Sequence, residues 1–198
     1  MLQINELIFK WPNSIQLEVN LDASAGEIVL IGGHSGIGKT TLFNIISGFY
    51  EPVSGSVTFN GKNLLSKPPW KRPVSTMFQS DNLFPHLSVR QNLMLGINKI
   101  SEDVQNHVHF LKIFSLIDQK CSELSGGELQ RVALIKTLSR EKPIILLDEP
   151  FSSLDGDMIK KASILIQEHT KKSKSITLII SHQEAGPYQK VKKRIYLS

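Results

Sequence analysis

Residues 28–46, which read IVLIGGHSGIGKTTLFNII, decide the fold. An apolar, largely β-branched run predicts a buried strand, the glycine-rich stretch that follows predicts a turn, and the pattern after residue 41 predicts a helix. Residues 33–40 match the spacing G-x-x-x-x-G-K-[ST] of a phosphate-binding loop. A chance match arises in roughly one chain of this size per hundred. A strand before the loop and a helix after it lower that rate further.

The residue types of this loop suit a nucleoside triphosphate. Glycines allow backbone N–H groups to point into one concavity, and the next helix adds the positive end of its dipole. Lys39 is predicted to reach the β- and γ-phosphates, and the Thr40 hydroxyl to bind Mg²⁺. The predicted nucleotide-binding residues of the loop are Gly33, His34, Ser35, Gly36, Ile37, Gly38, Lys39, Thr40 and Thr41.

Composition limits the classes of protein to which this chain can belong. The 198 residues are 40% hydrophobic, enough for one substantial core with an attached subdomain. Cys121 is the only cysteine, so no intrachain disulfide is possible, which suits a reducing cytoplasm. No apolar run approaches the roughly 18 residues of a membrane span, and the N-terminus lacks the pattern of a signal peptide. The net charge is +5, but no aromatic residues are interleaved with its lysine clusters, so nucleic acid is not an expected partner.

The segments around the loop complete an α/β pattern. Alternating residues at 2–9, 15–21 and 56–59 predict an N-terminal antiparallel β subdomain. Residues 74–78 predict a short strand that ends at Gln79. Residues 80–141 then read as a helical insertion, in which Ser101 begins a helix with one apolar face. That predicted face consists of Val104, Val108, Leu111 and Phe114.

Two further apolar strands end on polar side chains. Residues 144–149 read IILLDE, and residues 175–182 end on His182. In doubly wound parallel sheets, ligands lie at the carboxyl ends of the strands. Asp148 is therefore predicted to hold Mg²⁺ through water, and Glu149 to orient and deprotonate an attacking water. At its strand end, His182 is placed to hydrogen-bond the γ-phosphate.

Residues 124–131, LSGGELQR, open another helix. Ser125 and Glu128 have the spacing of a capping box, in which each side chain satisfies a backbone N–H group of the first turn. A helix N-terminus with the two glycines Gly126 and Gly127 is also suited to bind an anion. The two interpretations are compatible, because a cap leaves other N–H groups available for a phosphate.

Taken in order and spacing, these motifs resemble the ATP-binding-cassette ATPases along essentially the whole chain. The resemblance implies a P-loop NTPase with a parallel-sheet core. It implies that Glu149 is the catalytic base, that Gln79 senses Mg²⁺ and the attacking water, and that His182 is the γ-phosphate switch. Trp11 resembles the aromatic that stacks on adenine, although a core or hairpin position suits it equally well. Residues 1–198 are then expected to form one nucleotide-binding domain with a helical subdomain at about 80–141.

The same resemblance implies a head-to-tail dimer. Ser125, Gly126, Gly127 and Glu128 would contact ATP held by a second copy, and Asp155 would lie at the subunit interface. Glu128 stands where the family most often has glutamine. Cassettes of the family's importers usually continue with further helices or a regulatory domain after the strand that is predicted here at 194–197.

Two classes of function fit an ATP-binding cassette. Residues 72–93 resemble the coupling region of bacterial solute importers, above all thiamine importers, with ferric-iron and polyamine importers as relatives. Transmembrane permease subunits and, indirectly, a periplasmic solute-binding protein would then be partners, and the chain would lie at the cytoplasmic face of the inner membrane. A soluble role in DNA repair or on the ribosome is the alternative. Cassettes of that class usually have two fused copies or a long coiled-coil insertion, and neither feature is present in this sequence.

Overall fold

A computed structural model of the chain describes residues 1–10, 17–97, 99–181 and 193–197. Trp11 and His182, two of the predicted site residues, lie outside the described residues. The strands are β1 (Leu2–Phe9), β2 (Leu17–Ala23), β3 (Ile28–Gly32), β4 (Ser54–Phe59), β5 (Lys62–Asn63), β6 (Val74–Met77), β7 (Ile144–Asp148), β8 (Ile176–Ile180) and β9 (Lys193–Tyr196). The α-helices are α1 (Lys39–Ser47), α2 (Val89–Met94), α3 (Glu102–Phe110), α4 (Gly126–Leu138) and α5 (Gly156–Ser173).

The N-terminal strands form an antiparallel sheet, as predicted. Its order is β2-β1-β4-β5, and β1 pairs antiparallel with both β2 and β4. In β2 every second residue is buried, including Leu17, Val19 and Leu21. This period of two is that of a sheet with one face on the core and one in solvent.

The second sheet is parallel, with the order β6-β7-β8-β3-β9. Every residue of β7 and β8 is buried, which explains their unbroken apolar sequences. Along β7, Ile144 and Leu146 belong to a core shared with α1 and the antiparallel sheet. Ile145 and Leu147 belong to a second core shared with α2–α5. The parallel sheet is therefore covered on both faces, and its strand ends form the edge on which a site can be built.

Helix α1 has a C-terminal arrangement that the sequence did not reveal. Gly48 ends the helix in a left-handed conformation with φ 95°. The buried side chain of Arg72 then donates hydrogen bonds to the carbonyls of Ile45 and Ile46 and, through Nε, to Lys67 O. One arginine from the loop before β6 thus satisfies carbonyls at the end of the loop helix.

The predicted apolar face of α3 agrees with the structure except at one residue. Ser101 caps α3 through Val104 N, and Val104 and Val108 are buried as predicted. The prediction that Phe114 continues this face is wrong. The helix ends at Phe110, the chain turns at Lys112 with φ 55°, and Phe114 is 59% exposed. Among the described residues, no helix combines the length and the apolar character that crossing a bilayer requires.

A histidine pair joins α3 to α5. The ring centroids of His107 and His169 lie 6.1 Å apart, and an ion pair of 2.6 Å between Asp103 and Lys172 lies one turn away. Burial, and to a smaller extent His169, lowers the pKa of His107 to about 4. Burial also lowers the pKa of His169.

We predict that this pair makes the fold sensitive to acid. The unfolded chain takes up a proton on His107 near its ordinary pKa of 6.5, whereas the folded chain does so only near 4. The unfolding free energy should therefore fall as the pH drops from about 6.5 to about 4. Urea unfolding at pH 7 and pH 5 measures this loss, which should be smaller in His107→Phe. The exposed neighbour His109→Phe is the matched control, and equal losses in both variants would contradict the prediction.

Candidate functional site

The phosphate loop connects β3 to α1 in a conformation that needs glycine. Gly33 and Gly38 have φ of 133° and 111°. A Cβ atom on Gly33 would lie 2.8 Å from Leu197 O, and one on Gly38 would lie 2.9 Å from the Phe9 ring. Both the backbone conformation and the lack of space thus require glycine at these positions.

The Lys39 side chain lies inside the loop. Its Nζ donates hydrogen bonds to Gly33 O at 2.7 Å and His34 O at 3.0 Å, and the residue is only 6% exposed. The ammonium charge is therefore held where the loop would wrap an anion. Of the other predicted loop residues, His34, Ser35, Gly36 and Thr40 are exposed, Gly33, Gly38 and Thr41 are partly buried, and Ile37 is buried in the core.

Thr40 and Asp148 meet across the strand ends. Thr40 Oγ1 donates a hydrogen bond to Asp148 Oδ2 at 2.7 Å, and Asp148 is 2% exposed. Gln79 follows β6, the neighbour of β7, and is exposed. A hydroxyl and a carboxylate are the oxygen ligands that suit Mg²⁺, so the residues present fit this ion. The predicted loop, Gln79 and Asp148 thus share the carboxyl edge of the parallel sheet.

Glu149 begins the turn after β7 in a strained conformation. Its φ is 48°, in the left-handed region that non-glycine residues rarely occupy. The Glu149 N–H donates to Ile180 O at 3.0 Å, at the end of the neighbouring strand β8. Such strain persists only where surrounding contacts determine the backbone, and it is common at functional sites.

The N-terminus of α4 has the predicted capping box. Glu128 Oε2 accepts hydrogen bonds from Ser125 N at 2.8 Å and Ser125 Oγ at 2.7 Å, and Ser125 Oγ accepts one from Glu128 N. These bonds from the serine hydroxyl and backbone lower the pKa of the Glu128 carboxyl. The capping interpretation is confirmed. Because the hydroxyl donates to Glu128, a phosphate would have to compete for it, and the anion site stays a prediction.

The first turn of α4 packs on the turn that begins at Glu149. A Cβ atom on Gly127 would lie 2.9 Å from Ser153 O, whereas one on Gly126 would come only within 3.8 Å of Ser153 Oγ. Asp155, predicted at a subunit interface, caps α5 in this structure by accepting a hydrogen bond from Met158 N at 2.9 Å. The sequence analysis missed this capping role, although aspartate is among the residues preferred at the N-cap of a helix.

The segment after Gln79 is held by two asparagines that the sequence reading did not single out. Asn82 Oδ1 accepts from Phe78 N, and its Nδ2 donates to Phe78 O. Asn92 binds both backbone polar groups of Phe84 in the same way. These bonds fix the backbone of Phe84, whose side chain is half-exposed. A cavity of about 410 Å³ separates this segment from the first turn of α4. The sequence alone does not reveal these contacts, because the conformation of the loop decides which backbone groups each asparagine reaches.

Comparison with known proteins identifies the family. The family model described as ABC transporter matches residues 17–152. The chain belongs to the ABC transporter family. It is thus an ATP-binding-cassette ATPase, and the family resemblance drawn from the motifs is confirmed.

Curated relatives of this ABC cassette align over most of its length. The thiamine import ATP-binding protein ThiQ of Escherichia coli (strain K12) is 41% identical over 189 residues, which cover 92% of this chain and 81% of that protein. The protein of the same name from Haemophilus influenzae (strain 86-028NP) is 40% identical over 190 residues, covering 92% and 88%.

Solved structures share the fold. A nucleotide-free ATP-binding cassette from an ABC transporter superposes with a TM-score of 0.85 at 24% identity, covering 99% of this chain and 87% of that one. A dimeric cassette in a post-hydrolysis state, bound to ADP and Pi, gives 0.86 at 24% identity, covering 100% and 94%. These likenesses confirm the predicted fold, a P-loop NTPase with a parallel core and an N-terminal antiparallel sheet.

The contrast between the two glycines of α4 gives a prediction. Gly127→Ala should lower the unfolding free energy by about 1 to 3 kcal/mol, because its methyl group meets a backbone oxygen that must shift. Gly126→Ala should change it by no more than about 1 kcal/mol, since it makes only an ordinary contact and alanine favours helix. Denaturant unfolding without nucleotide measures both. Equal stability of the two variants would contradict the proximity of Gly127 to the turn.

Proposed function

We propose that this chain is the ATP-hydrolysing motor of a bacterial importer that takes up thiamine. The observation that carries the proposal is the 41% identity, over 92% of the chain, to proteins named for thiamine import. It favours thiamine over ferric iron or polyamine. Transmembrane permease subunits and, indirectly, a periplasmic solute-binding protein are the proposed partners, and the cytoplasmic face of the cell membrane is the proposed location.

The proposed nucleotide site is the carboxyl edge of the parallel sheet. Lys39 and the backbone of residues 33–41 would hold the triphosphate, and Trp11 would stack on the adenine. Thr40, Gln79 and, through water, Asp148 would hold Mg²⁺, which neutralises phosphate charge when bound. The hydrogen bond of 2.7 Å between Thr40 and Asp148 supports this assignment, since it places the hydroxyl and the carboxylate side by side.

Glu149 is the proposed general base. Its carboxylate would accept a proton from the water that attacks the γ-phosphorus, while Gln79 orients that water and His182 donates a hydrogen bond to the γ-phosphate. The position of Glu149 directly after Asp148, with a left-handed φ of 48°, supports the role, because strained residues cluster at catalytic sites.

We further propose that ATP joins two copies head to tail. The Ser125 hydroxyl and the backbone N–H groups of Gly126, Gly127 and Glu128 would contact the ATP held by the partner subunit, and Asp155 would lie at the interface. The N-terminus of α4 supplies N–H groups for such a contact. Residues 80–141 are proposed to form a helical subdomain within the single nucleotide-binding domain of residues 1–198.

Replacing the base tests hydrolysis and assembly together. Glu149→Gln keeps the shape of the side chain but cannot take a proton, so turnover should fall by roughly 10²–10⁴ while ATP affinity is retained. Because ATP then persists, light scattering should report a dimer with ATP and a monomer with ADP. Turnover like that of the natural protein would remove Glu149 as the base. A monomer with bound ATP would argue against the composite site.

The permease is proposed to dock on the aromatic surface around the segment that carries Gln79. Phe84 is 50% exposed and Phe49 is 56% exposed, and Phe49 contacts Phe78 with ring centroids 5.7 Å apart. Aromatic side chains with this exposure are typical of protein interfaces. A helix that docks there would move a segment that begins at Gln79, next to the proposed γ-phosphate site.

Uptake of labelled thiamine tests the cargo and the docking surface. Cells that lack this protein should lose uptake, and a plasmid copy should restore it. Phe84→Asp should fail to restore uptake or to bind the permease, because it places a charge in an apolar interface, yet it should still fold and bind ATP. Ile164→Asp, at an exposed apolar position on α5, is a control for the added charge alone. Unchanged uptake in the deletion strain would exclude thiamine as the cargo.

A further inference from the structure

The side-chain amide of Gln130, on the second turn of α4, binds the turn that follows β7 at three points. Its Nε2 donates hydrogen bonds to Glu149 O at 2.7 Å and to Ser152 Oγ at 3.0 Å, and its Oε1 accepts one from Ser153 N at 2.6 Å. Both polar atoms of the amide are therefore bonded to one five-residue stretch, 149–153. Such a complementary set fixes an amide in one orientation, and fixes its partners in return.

We infer that Gln130 is a positioning residue that holds Glu149 in its catalytic conformation. The inference rests on the proposed role of Glu149 as the general base. Gln130 would act through the backbone carbonyl of Glu149, whose carboxylate would contact the attacking water.

The conformation of Glu149 is one that needs outside support. Glu149 directly follows the last residue of a buried strand, and its left-handed φ of 48° is one that residues other than glycine rarely adopt. Glu149 N donates to Ile180 O at the end of β8, and within its own turn Glu149 O accepts a longer bond of 3.3 Å from Ser152 N. The shorter bond from Gln130 comes from a different element. It thus ties the strained peptide to a helix whose own backbone is regular.

Close packing strengthens this tie. The lack of a side chain on Gly127 lets the first turn of α4 approach Ser153 O, where a Cβ atom would lie only 2.9 Å away. The turn is thus held at its beginning by Gln130 on Glu149 O, and at its end by Gln130 and Gly127 on Ser153. A turn fixed at both ends allows little freedom to the carboxylate at its start. A misplacement of about 1 Å in a reacting group can lower a rate by roughly a hundredfold.

The experiment compares three variants of the full chain by steady-state ATP hydrolysis and by ATP binding. Gln130→Met removes all three hydrogen bonds at similar length. Gln130→Glu keeps the shape and the acceptor for Ser153 N, but sets a carboxylate oxygen against Glu149 O. Ser152→Ala removes only the bond to the serine hydroxyl and is the matched control.

Both Gln130 variants should lower kcat on the order of tenfold or more, with KM and ATP affinity within about twofold of the natural protein, whereas Ser152→Ala should change little. A lower kcat at constant KM indicates that the base is misplaced, whereas a raised KM indicates weaker ATP binding. An unchanged kcat in folded Gln130→Glu would overturn the inference, as would a raised KM at constant kcat.

The Glu149→Gln variant separates failure of the proposed base from failure of the proposed role of Gln130. If Glu149→Gln keeps full turnover, the proposed base itself is wrong. If Glu149→Gln is inactive but the Gln130 variants hydrolyse ATP normally, only the role of Gln130 fails. The double variant Gln130→Met, Glu149→Gln should still dimerise with ATP, because the first turn of α4 is left intact. Loss of that dimer would assign the effect of Gln130 to the N-terminus of α4 and contradict its action on Glu149.

Discussion

The hydrogen bond between Thr40 and Asp148 is the interaction on which the site depends. It joins the first turn of the loop helix to the end of a strand that lies 108 residues away in sequence. The bond forms only because β3 and β7 run parallel in one sheet, with β8 between them, so that both strands end at the same edge. The same edge receives Gln79 from β6 and Glu149 from the turn after β7. Parallel topology therefore assembles the site from three separate segments.

Helix α4 has a second organising role. Its N-terminus carries the serine and two glycines of the family motif, closed by the capping box with Glu128. Its next turn carries Gln130, which binds the turn that begins at Glu149. One rigid element thus bears both the surface proposed for the partner's nucleotide and the support of this chain's own proposed base. Because α4 lies so close to this turn, packing within the chain requires glycine at position 127.

The sequence predicted the elements whose signals are local. The loop at 33–40, the apolar run at 144–149 and the capping box at 125–128 each combine a residue type with a fixed spacing, and each folds as predicted. The roles of Arg72 and Gln130 were missed, because these side chains bind backbone groups that only the tertiary fold brings near. Asn82 was missed although its partner Phe78 is only four residues away, because the bond depends on the loop conformation between them. The prediction for Phe114 was wrong for a related reason. The helical periodicity of the sequence continues past Phe110, but the turn at Lys112 redirects the chain.

The magnesium dependence of ATP binding tests the central claim most directly. Asp148→Asn keeps a side chain that can bond to Thr40 but removes the negative charge that favours a divalent cation. Calorimetry with ATP, in Mg²⁺ and in a chelator, should show tighter binding with Mg²⁺ for the natural chain and a much smaller gain for Asp148→Asn. Affinity without metal should not weaken in the variant. An equal gain from Mg²⁺ in both proteins would contradict the assignment of the Thr40 and Asp148 pair as the metal site.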